Sequence, residues 1–409
     1  AHLSVWNRWT GQVLAWCLAD PKIKTRVLQL IDCLPTLRHP RDIVRHVREY
    51  FPTDQLRLPP MLRLGVSASR SGLLTAYPVA VAVRQMVEEV AKQFIGSATV
   101  AEAGALLERM SARQIGLSVD VLGEQVLSEP EADEYARRYA TVLHDLAHVA
   151  RRLGPSALPQ PLVHVSIKPS SLCARVDPAS PEGSLRRIMS RLLPLAQVAV
   201  EANAAITLDM EQYELRDLTL ELAKRLLVEP EIGERLHLGV VIQAYVTDAE
   251  PVVDDLVSWL SAHRRRLPIR LVKGAYWDYE VALAIQRAWS VPVYQAKWQT
   301  DQAFERLTQR LLQAAPTIRT EIASHNLRSI AHAMAVADAV GRRPGEMEFQ
   351  VLYGMANAIQ GAICQAGYPV RVYTPLGELI PGMAYLVRRL LENTANESFL
   401  RHDMLQDER

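Results

Sequence analysis

From about residue 114 onward, eight short apolar runs rich in β-branched residues alternate with longer amphipathic stretches. The runs are Ile115–Leu122, Leu162–Lys168, Ala205–Asp209, Gly239–Tyr245, Ile269–Lys273, Thr320–His325, Glu348–Leu352 and Val370–Tyr373. Each is short enough for a strand. Several are continuously apolar, as parallel strands covered on both faces tend to be. The stretches between and after them include Glu131–Leu153, Pro181–Val198, Leu215–Leu227, Glu250–Arg264, Ala303–Ala314, Arg328–Val340, Ala356–Gln365 and Pro381–Leu391. Their apolar residues recur at helical spacing. Parallel strands need a long crossover, usually a helix. Eight strand–helix units therefore predict an α/β fold, a (β/α)8 barrel of the TIM type spanning roughly 280 residues. A doubly wound sheet is the alternative, but no G-x-G-x-x-G follows the first run to support a dinucleotide fold.

Before residue 114 the chain reads as helices over residues 1 to about 55 and again from residue 75, with a connecting segment marked by Pro52, Pro59 and Pro60 between them. Trp6, Trp9, Val13, Leu14, Trp16 and Cys17 recur at helical spacing. Asp20-Pro21 restarts a helix with an apolar face of Val27, Leu28, Leu30 and Ile31, and Leu34-Pro35 ends it. Residues 75–110 read as helical, with a break at Gly96-Ser97. The expected organisation is an all-helical arm or cover module over residues 1–110, followed by the barrel over residues 111–409. With 409 residues, 49% of them hydrophobic, the chain can bury a large core. A formal net charge of +1 gives no electrostatic case for a nucleic-acid partner. Cys17, Cys33, Cys173 and Cys364 are far apart and form no C-x-x-C. That argues against a disulfide framework and for a reducing compartment. No run of about 18 uncharged apolar residues occurs, so no membrane-spanning helix is expected, while attachment to a membrane surface stays open. The N-terminus has no basic segment followed by an apolar core, so it does not read as a signal peptide.

In barrels of this kind the chemistry sits at the C-terminal ends of the strands. The polar residues there are Lys168, Asp209, Gln243, Tyr245, Arg270, Lys273, Ser324, His325, Asn326, Arg371 and Tyr373. Alternation places Arg270 and Lys273 on opposite faces of one strand, so the two cations need not meet the same group. Charges inside a strand are costly unless paired or bound to a ligand. Gly274, just beyond them, permits a ligand to approach the backbone. Near the C-terminus Tyr385, Arg388, Arg389 and Glu392 share roughly one face of a helical run. Two neighbouring guanidinium groups suit a small anion. Each residue also has a plainer explanation. Lys168 can pair with a rim carboxylate, Asp209 can cap the helix after it, and His325 can be a satisfied rim histidine. Arg388 and Glu392 can form an i,i+4 pair worth a few tenths of a kcal/mol. No H-x-H or H-E-x-x-H accompanies His325, so no metal is expected. The joint placement of these residues at strand ends is what favours a common site.

Three segments carry a resemblance. Arg-Leu-Val-Lys-Gly-Ala-Tyr-Trp (270–277), Glu-Phe-Gln-x-Leu-x-Gly-Met (348–355) and Tyr-Leu-Val-Arg-Arg-Leu-Leu-Glu-Asn (385–393) resemble the proline dehydrogenases. They are closest to the proline dehydrogenase part of bifunctional proline utilization proteins. Ser-Val-Asp-Val-Leu-Gly-Glu (118–124) resembles that family's first strand. The resemblance implies a distorted (β/α)8 barrel holding FAD. It implies oxidation of L-proline to Δ1-pyrroline-5-carboxylate, with hydride passing to flavin N5 and electrons to a membrane quinone. This is the first step of proline catabolism to glutamate. By the same resemblance Lys168, Arg388 and Arg389 look like the cage for the proline carboxylate, and Asp209, Tyr276 and Tyr373 like the walls of that pocket. Arg270 looks like the arginine at the flavin N5 region. Gln243, Lys273, Gly274, Ala275 and Trp277 look like further cofactor contacts, as do Ser324, His325, Asn326, Glu392 and Phe399. Implied partners are L-proline, a quinone and an aldehyde dehydrogenase module, with a cytoplasmic location that includes peripheral contact with the inner face of a bacterial membrane. A homo-oligomer is left open.

The chain stops at Arg409, so an excised domain or a stand-alone form is expected, without NAD-dependent oxidation to glutamate. Apart from the resemblance, the residues also admit a Schiff-base aldolase with Lys273 or Lys168 as the amine. A non-catalytic ligand-binding barrel is the third reading.

Overall fold

The structure, a computed structural model, describes residues 21–37, 39–52, 73–123, 126–156, 158–355 and 357–377. Eight parallel strands close into a barrel in chain order. They are β1 (Ile115–Val121), β2 (Val163–Ile167), β3 (Ala205–Leu208), β4 (His237–Gln243), β5 (Leu267–Val272), β6 (Ile318–Ala323), β7 (Met347–Leu352) and β8 (Val370–Leu376). Every predicted strand is present, and the barrel, not the doubly wound sheet, is the fold. Some ends differ. β5 starts two residues before Ile269 and β8 runs three beyond Tyr373. Pro268 and Pro375 hid these extensions, because proline lacks the N–H a ladder uses. Both are nevertheless in register, Pro268 with Arg319 and Pro375 with Asp120. β4 ends at Gln243, although the amides of Ala244 and Tyr245 still donate to Val272 O and Lys273 O at 2.8 Å.

Twelve α-helices lie among the described residues. α1 (Pro21–Cys33), α2 (Pro40–Tyr50) and α3 (Leu73–Phe94) belong to one compact unit, and Ser97–Leu376 forms another. α2 buries Ile43, Val44 and Val47 and packs against α1 and α3. α4 (Val100–Ser111) belongs to the barrel unit, where it packs on β1 and α5 (Glu129–Leu153). Both start on local chemistry visible in the sequence. Thr99 accepts from Glu102 N, and the Glu102 carboxylate accepts from Ala98 N at 2.8 Å. Ser128 and Glu131 do the same for α5. The remaining helices are α6 (Pro181–Glu201), α7 (Arg216–Val228), α8 (Ala249–Ala262), α9 (Trp277–Gln286), α10 (Lys297–Gln313), α11 (Leu327–Ala339) and α12 (Asn357–Gln365). The sequence reading lacks α9, whose cap position, Tyr276, makes no side-chain cap bond. The expected helices around residues 6–17 and 381–391 lie outside the described residues.

The barrel interior is polar. Alternation along β1 sends Leu117 and Val119 one way and Ser118 and Asp120 the other. Ser118 and Ser166 meet inside the barrel, where Arg270 donates to both. Deeper still, Arg371 grips Glu348 through Nε and Nη2 at 2.8 and 3.2 Å, with both side chains fully buried. Gly116 makes room for this pair. A Cβ there would stand 2.9 Å from the Arg371 guanidinium carbon. The strands are thus packed by apolar residues outside and joined by a hydrogen-bonded, ion-paired network inside, where His164 Nδ1 and Arg319 Nε are left without a hydrogen bond.

Candidate active site

Asp209, directly after β3, is the hub of the barrel's C-terminal end. Its Oδ1 accepts from Arg270 Nη1 at 2.7 Å and its Oδ2 from the Tyr373 hydroxyl at 2.8 Å. The Arg270 guanidinium carbon lies 5.2 Å from the Tyr373 ring centroid, a cation–π distance. Asp209 therefore spends its oxygens on β5 and β8 residues and does not cap the following helix. Arg270 is 3% exposed and also donates to Ser166, Ser118 and Gln350. Lys168, directly after β2, donates to Asp120, a buried carboxylate on β1. Burial opposes the Lys168 charge, but Asp120 beside it outweighs burial and raises the ammonium pKa. The pairing with Asp120 thus favours the charged ammonium form of Lys168 over the free amine that a Schiff base needs.

The second half of the rim is built by the ends of β5 and β6. Lys273 points away from Arg270, as alternation predicts, and donates to Asp301 on α10. Burial pulls its pKa down against that pairing. Gly274 has φ +132°, and a Cβ there would stand 2.5 Å from the Tyr245 ring, so only glycine fits this turn. Ala275 is exposed and Tyr276 half-buried at the start of α9. Trp277 Nε1 donates to Tyr294 O at 2.8 Å, with 40% of the residue exposed. Gln243 Nε2 donates to Met210 O and Glu211 O, which directs the amide and leaves its oxygen as an acceptor. His325 Nε2 accepts from Leu352 N at 2.9 Å, so the neutral ring carries its proton on Nδ1. Ser324 Oγ accepts from Asn326 N, and Asn326 Oδ1 caps α11 through Ser329 N at 3.0 Å. A lysine, a histidine N–H and the first turn of α11 thus share the ends of adjacent strands. This donor set fits the pyrophosphate of a dinucleotide cofactor such as FAD. Among the described residues no cluster of histidine, cysteine and carboxylate side chains could hold a metal ion.

The structure therefore gathers Lys168, Asp209, Arg270 and Tyr373 on one side, and Lys273, Gly274, Ser324, His325 and Asn326 on the other. Arg388, Arg389, Glu392 and Phe399 lie outside the described residues. Sequence reasoning missed Ser118, Asp120, Ser166, Asp301, Glu321, Glu348 and Gln350. A signal existed for five of them. Ser118 and Asp120, and Glu348 and Gln350 beside Glu321, are polar residues at period-2 positions inside otherwise apolar strands. Glu321, fully buried, is pushed up to about 7 by burial and by the neighbouring Glu348, against the pull of Arg270, Arg371 and Arg319. The folded state then holds a proton that the unfolded chain releases above the ordinary carboxylate range. Stability from this group must fall as pH rises from about 4.3 to about 7. Urea unfolding of Glu321→Gln across that window is expected to show a flatter decline than the parent. Parallel curves would refute the assignment.

Comparison with known proteins places this geometry. Residues 103–402 match the family model described as proline dehydrogenase, and residues 1–94 match that of the proline utilization A N-terminal domain. The chain is similar to the bifunctional protein PutA of Escherichia coli, with 34% identity over 318 residues. That covers 76% of this chain but only 24% of the relative. It is also similar to the proline dehydrogenase of Deinococcus radiodurans, 30% identical over 329 residues, covering 79% of this chain and 92% of that one. Among solved structures, proline utilization A from Bdellovibrio bacteriovorus, inactivated by N-propargylglycine, superposes with a TM-score of 0.88 at 36% identity. It covers 99% of this chain and 41% of the other. The chain thus spans about a quarter of the length of the bifunctional relatives and nearly all of the monofunctional one. With its closed barrel and its strand-end cluster of cations and aromatic rings, this chain belongs to the proline dehydrogenase family.

Proposed function

We propose that the chain oxidises L-proline to Δ1-pyrroline-5-carboxylate using FAD, with a quinone as the final acceptor. The observation that carries this reading is the cluster at the C-terminal end of the barrel. In it Lys168, paired with Asp120, stands at the same barrel mouth as Arg270 and Tyr373, which Asp209 locks together. Proline offers one carboxylate as a handle and an apolar ring. Lys168, with Arg388 and Arg389, binds the carboxylate by charge-assisted hydrogen bonds. Tyr373 and Tyr276 supply flat walls for the ring. Asp209 uses both its oxygens to orient Arg270 and Tyr373 before substrate enters, so little reorganisation remains for the reaction itself. Gln243, Arg270, Lys273, Gly274, Ala275, Trp277, Ser324, His325 and Asn326, with Glu392 and Phe399, would hold FAD. The bound flavin supplies the hydride acceptor. In this reading the chain works in the cytoplasm at the inner face of the membrane, where the quinone resides, alongside an aldehyde dehydrogenase module and in a homo-oligomer. No described helix is long and apolar enough to cross a membrane.

The test is the visible spectrum of the purified protein before and after anaerobic L-proline. Flavin bands that bleach support the reading; bands that persist, or a protein that takes up no FAD, refute it. The carboxylate cage has its own test. Arg388→Met and Arg389→Met are each expected to raise the proline KM about ten- to hundredfold, the loss of about 1.5–3 kcal/mol of charge-assisted bonding, with FAD content retained. An unchanged KM in both variants removes these arginines from the pocket.

A further inference from the structure

Arg270 is aimed from behind. Its Nη atoms face Asp209 and the hydroxyls of Ser118 and Ser166, while its Nε donates to Gln350 Oε1 at 2.6 Å. A hydroxyl rotates to suit its neighbour, so the two serines fix no direction. The Gln350 amide cannot turn over. Its Nε2 donates to Glu321 Oε2 at 2.7 Å and to Glu348 Oε1 at 3.1 Å. Glu348 is in turn clamped by Arg371, and the other oxygen of Glu321 accepts from Gln160 Nε2. Turning the amide over would set its hydrogens against the Arg270 N–H and its oxygen against the Glu348 carboxylate that Arg371 holds. All members of this chain are buried. Gln350 also stands as a neutral spacer between the Arg270 cation and two carboxylates. Without it the guanidinium would keep a buried, unpaired Nε–H and an anionic pair to turn towards, away from Asp209.

We propose that Gln350 is a positioning residue for Arg270, relaying the fixed orientation of Glu321 and Glu348 from the barrel interior to the guanidinium at the substrate end. The proposal rests on the reading of Arg270 as part of a flavin-dependent, proline-oxidising site. It predicts an effect on the reaction distinct from an effect on folding.

The experiment uses the full chain loaded with FAD and the variant Gln350→Met, which keeps the volume and removes the amide. Flavin reduction at saturating proline is expected to slow about 10- to 100-fold, with the proline KM within about threefold of the parent. The midpoint potential of the bound flavin is expected to shift to more negative values, because a cation beside the flavin is displaced. Gln350→Asn keeps the amide but falls one methylene short of Arg270, and should behave the same way. A lowered thermal midpoint with unchanged reduction rate and unchanged potential in either variant overturns the proposal and leaves Gln350 a core residue only. If neither variant folds, the wild-type protein decides. The Arg270 Nε–H resonance should exchange slowly with solvent, and rapid exchange overturns the proposal. If the parent's flavin is not bleached by proline, the functional reading fails, while the potential shift and the exchange measurement still test the positioning role.

Discussion

Arg270→Met should slow flavin reduction by proline about 100- to 1,000-fold while leaving proline affinity nearly unchanged. The reason lies in what the guanidinium touches. It is bound to Asp209 and stands over the Tyr373 ring, while Lys168, the cation assigned to the proline carboxylate, is bound to Asp120. Removing it withdraws a fixed positive charge from the reacting end, yet leaves the carboxylate handle in place. The same change should destabilise the fold. Arg270 and Asp209 form an ion pair with side chains only 4% and 13% exposed. Breaking a buried pair by removing one partner typically costs about 3–5 kcal/mol. The Tyr373 hydroxyl still donates to Asp209, which places the expected loss near the lower figure. Anaerobic stopped-flow reduction and urea unfolding read the two effects separately. A variant that loses proline affinity but reduces flavin at the parent rate would move Arg270 into the carboxylate cage.

The largest effect on stability is expected at the other end of the interior. Arg371→Leu removes the cation from a pair whose two side chains are both fully buried. Glu348 would keep only the weak donor from Gln350 at 3.1 Å, with Glu321 close by. The expected cost is about 3–5 kcal/mol, and the loss should grow with pH, because a carboxylate left unpaired in the interior stays buried only by holding a proton. Equilibrium urea unfolding at acid and neutral pH checks both the size and the slope. A change below about 1 kcal/mol at neutral pH would mean that water enters and solvates Glu348. No comparable loss is expected from exposed pairs such as Arg137 with Glu134, where solvent already screens the charges.

Much of this molecule is legible from its amino-acid order because the information is local. An apolar run of four to seven residues flanked by turn residues is consistent with a buried strand, its shortness and β-branched content arguing against a helix, and eight of them in alternation with helices leave few topologies. Thr99 with Glu102 and Ser128 with Glu131 mark helix starts for the same reason, since each box closes within four residues. Proline misleads when context supplies a register that tolerates it, as at Pro268 and Pro375. α9 escapes because it is short and buries only Glu280 and Ala284, so it shows no apolar stripe of helical period.

By itself, then, the sequence determined the barrel, the order of its strands and which polar side chains stand at their C-terminal ends. The partners were decided only by the closed barrel. Asp120 meets Lys168 across 48 positions, Arg270 meets Asp209 across 61, and Tyr373 reaches Asp209 across 164. Such pairings follow from the stagger of eight strands, and no period in the chain encodes that stagger directly. The buried charges make the pairing obligatory. Once the barrel excludes water, each cation must find the carboxylate that the fold brings to it.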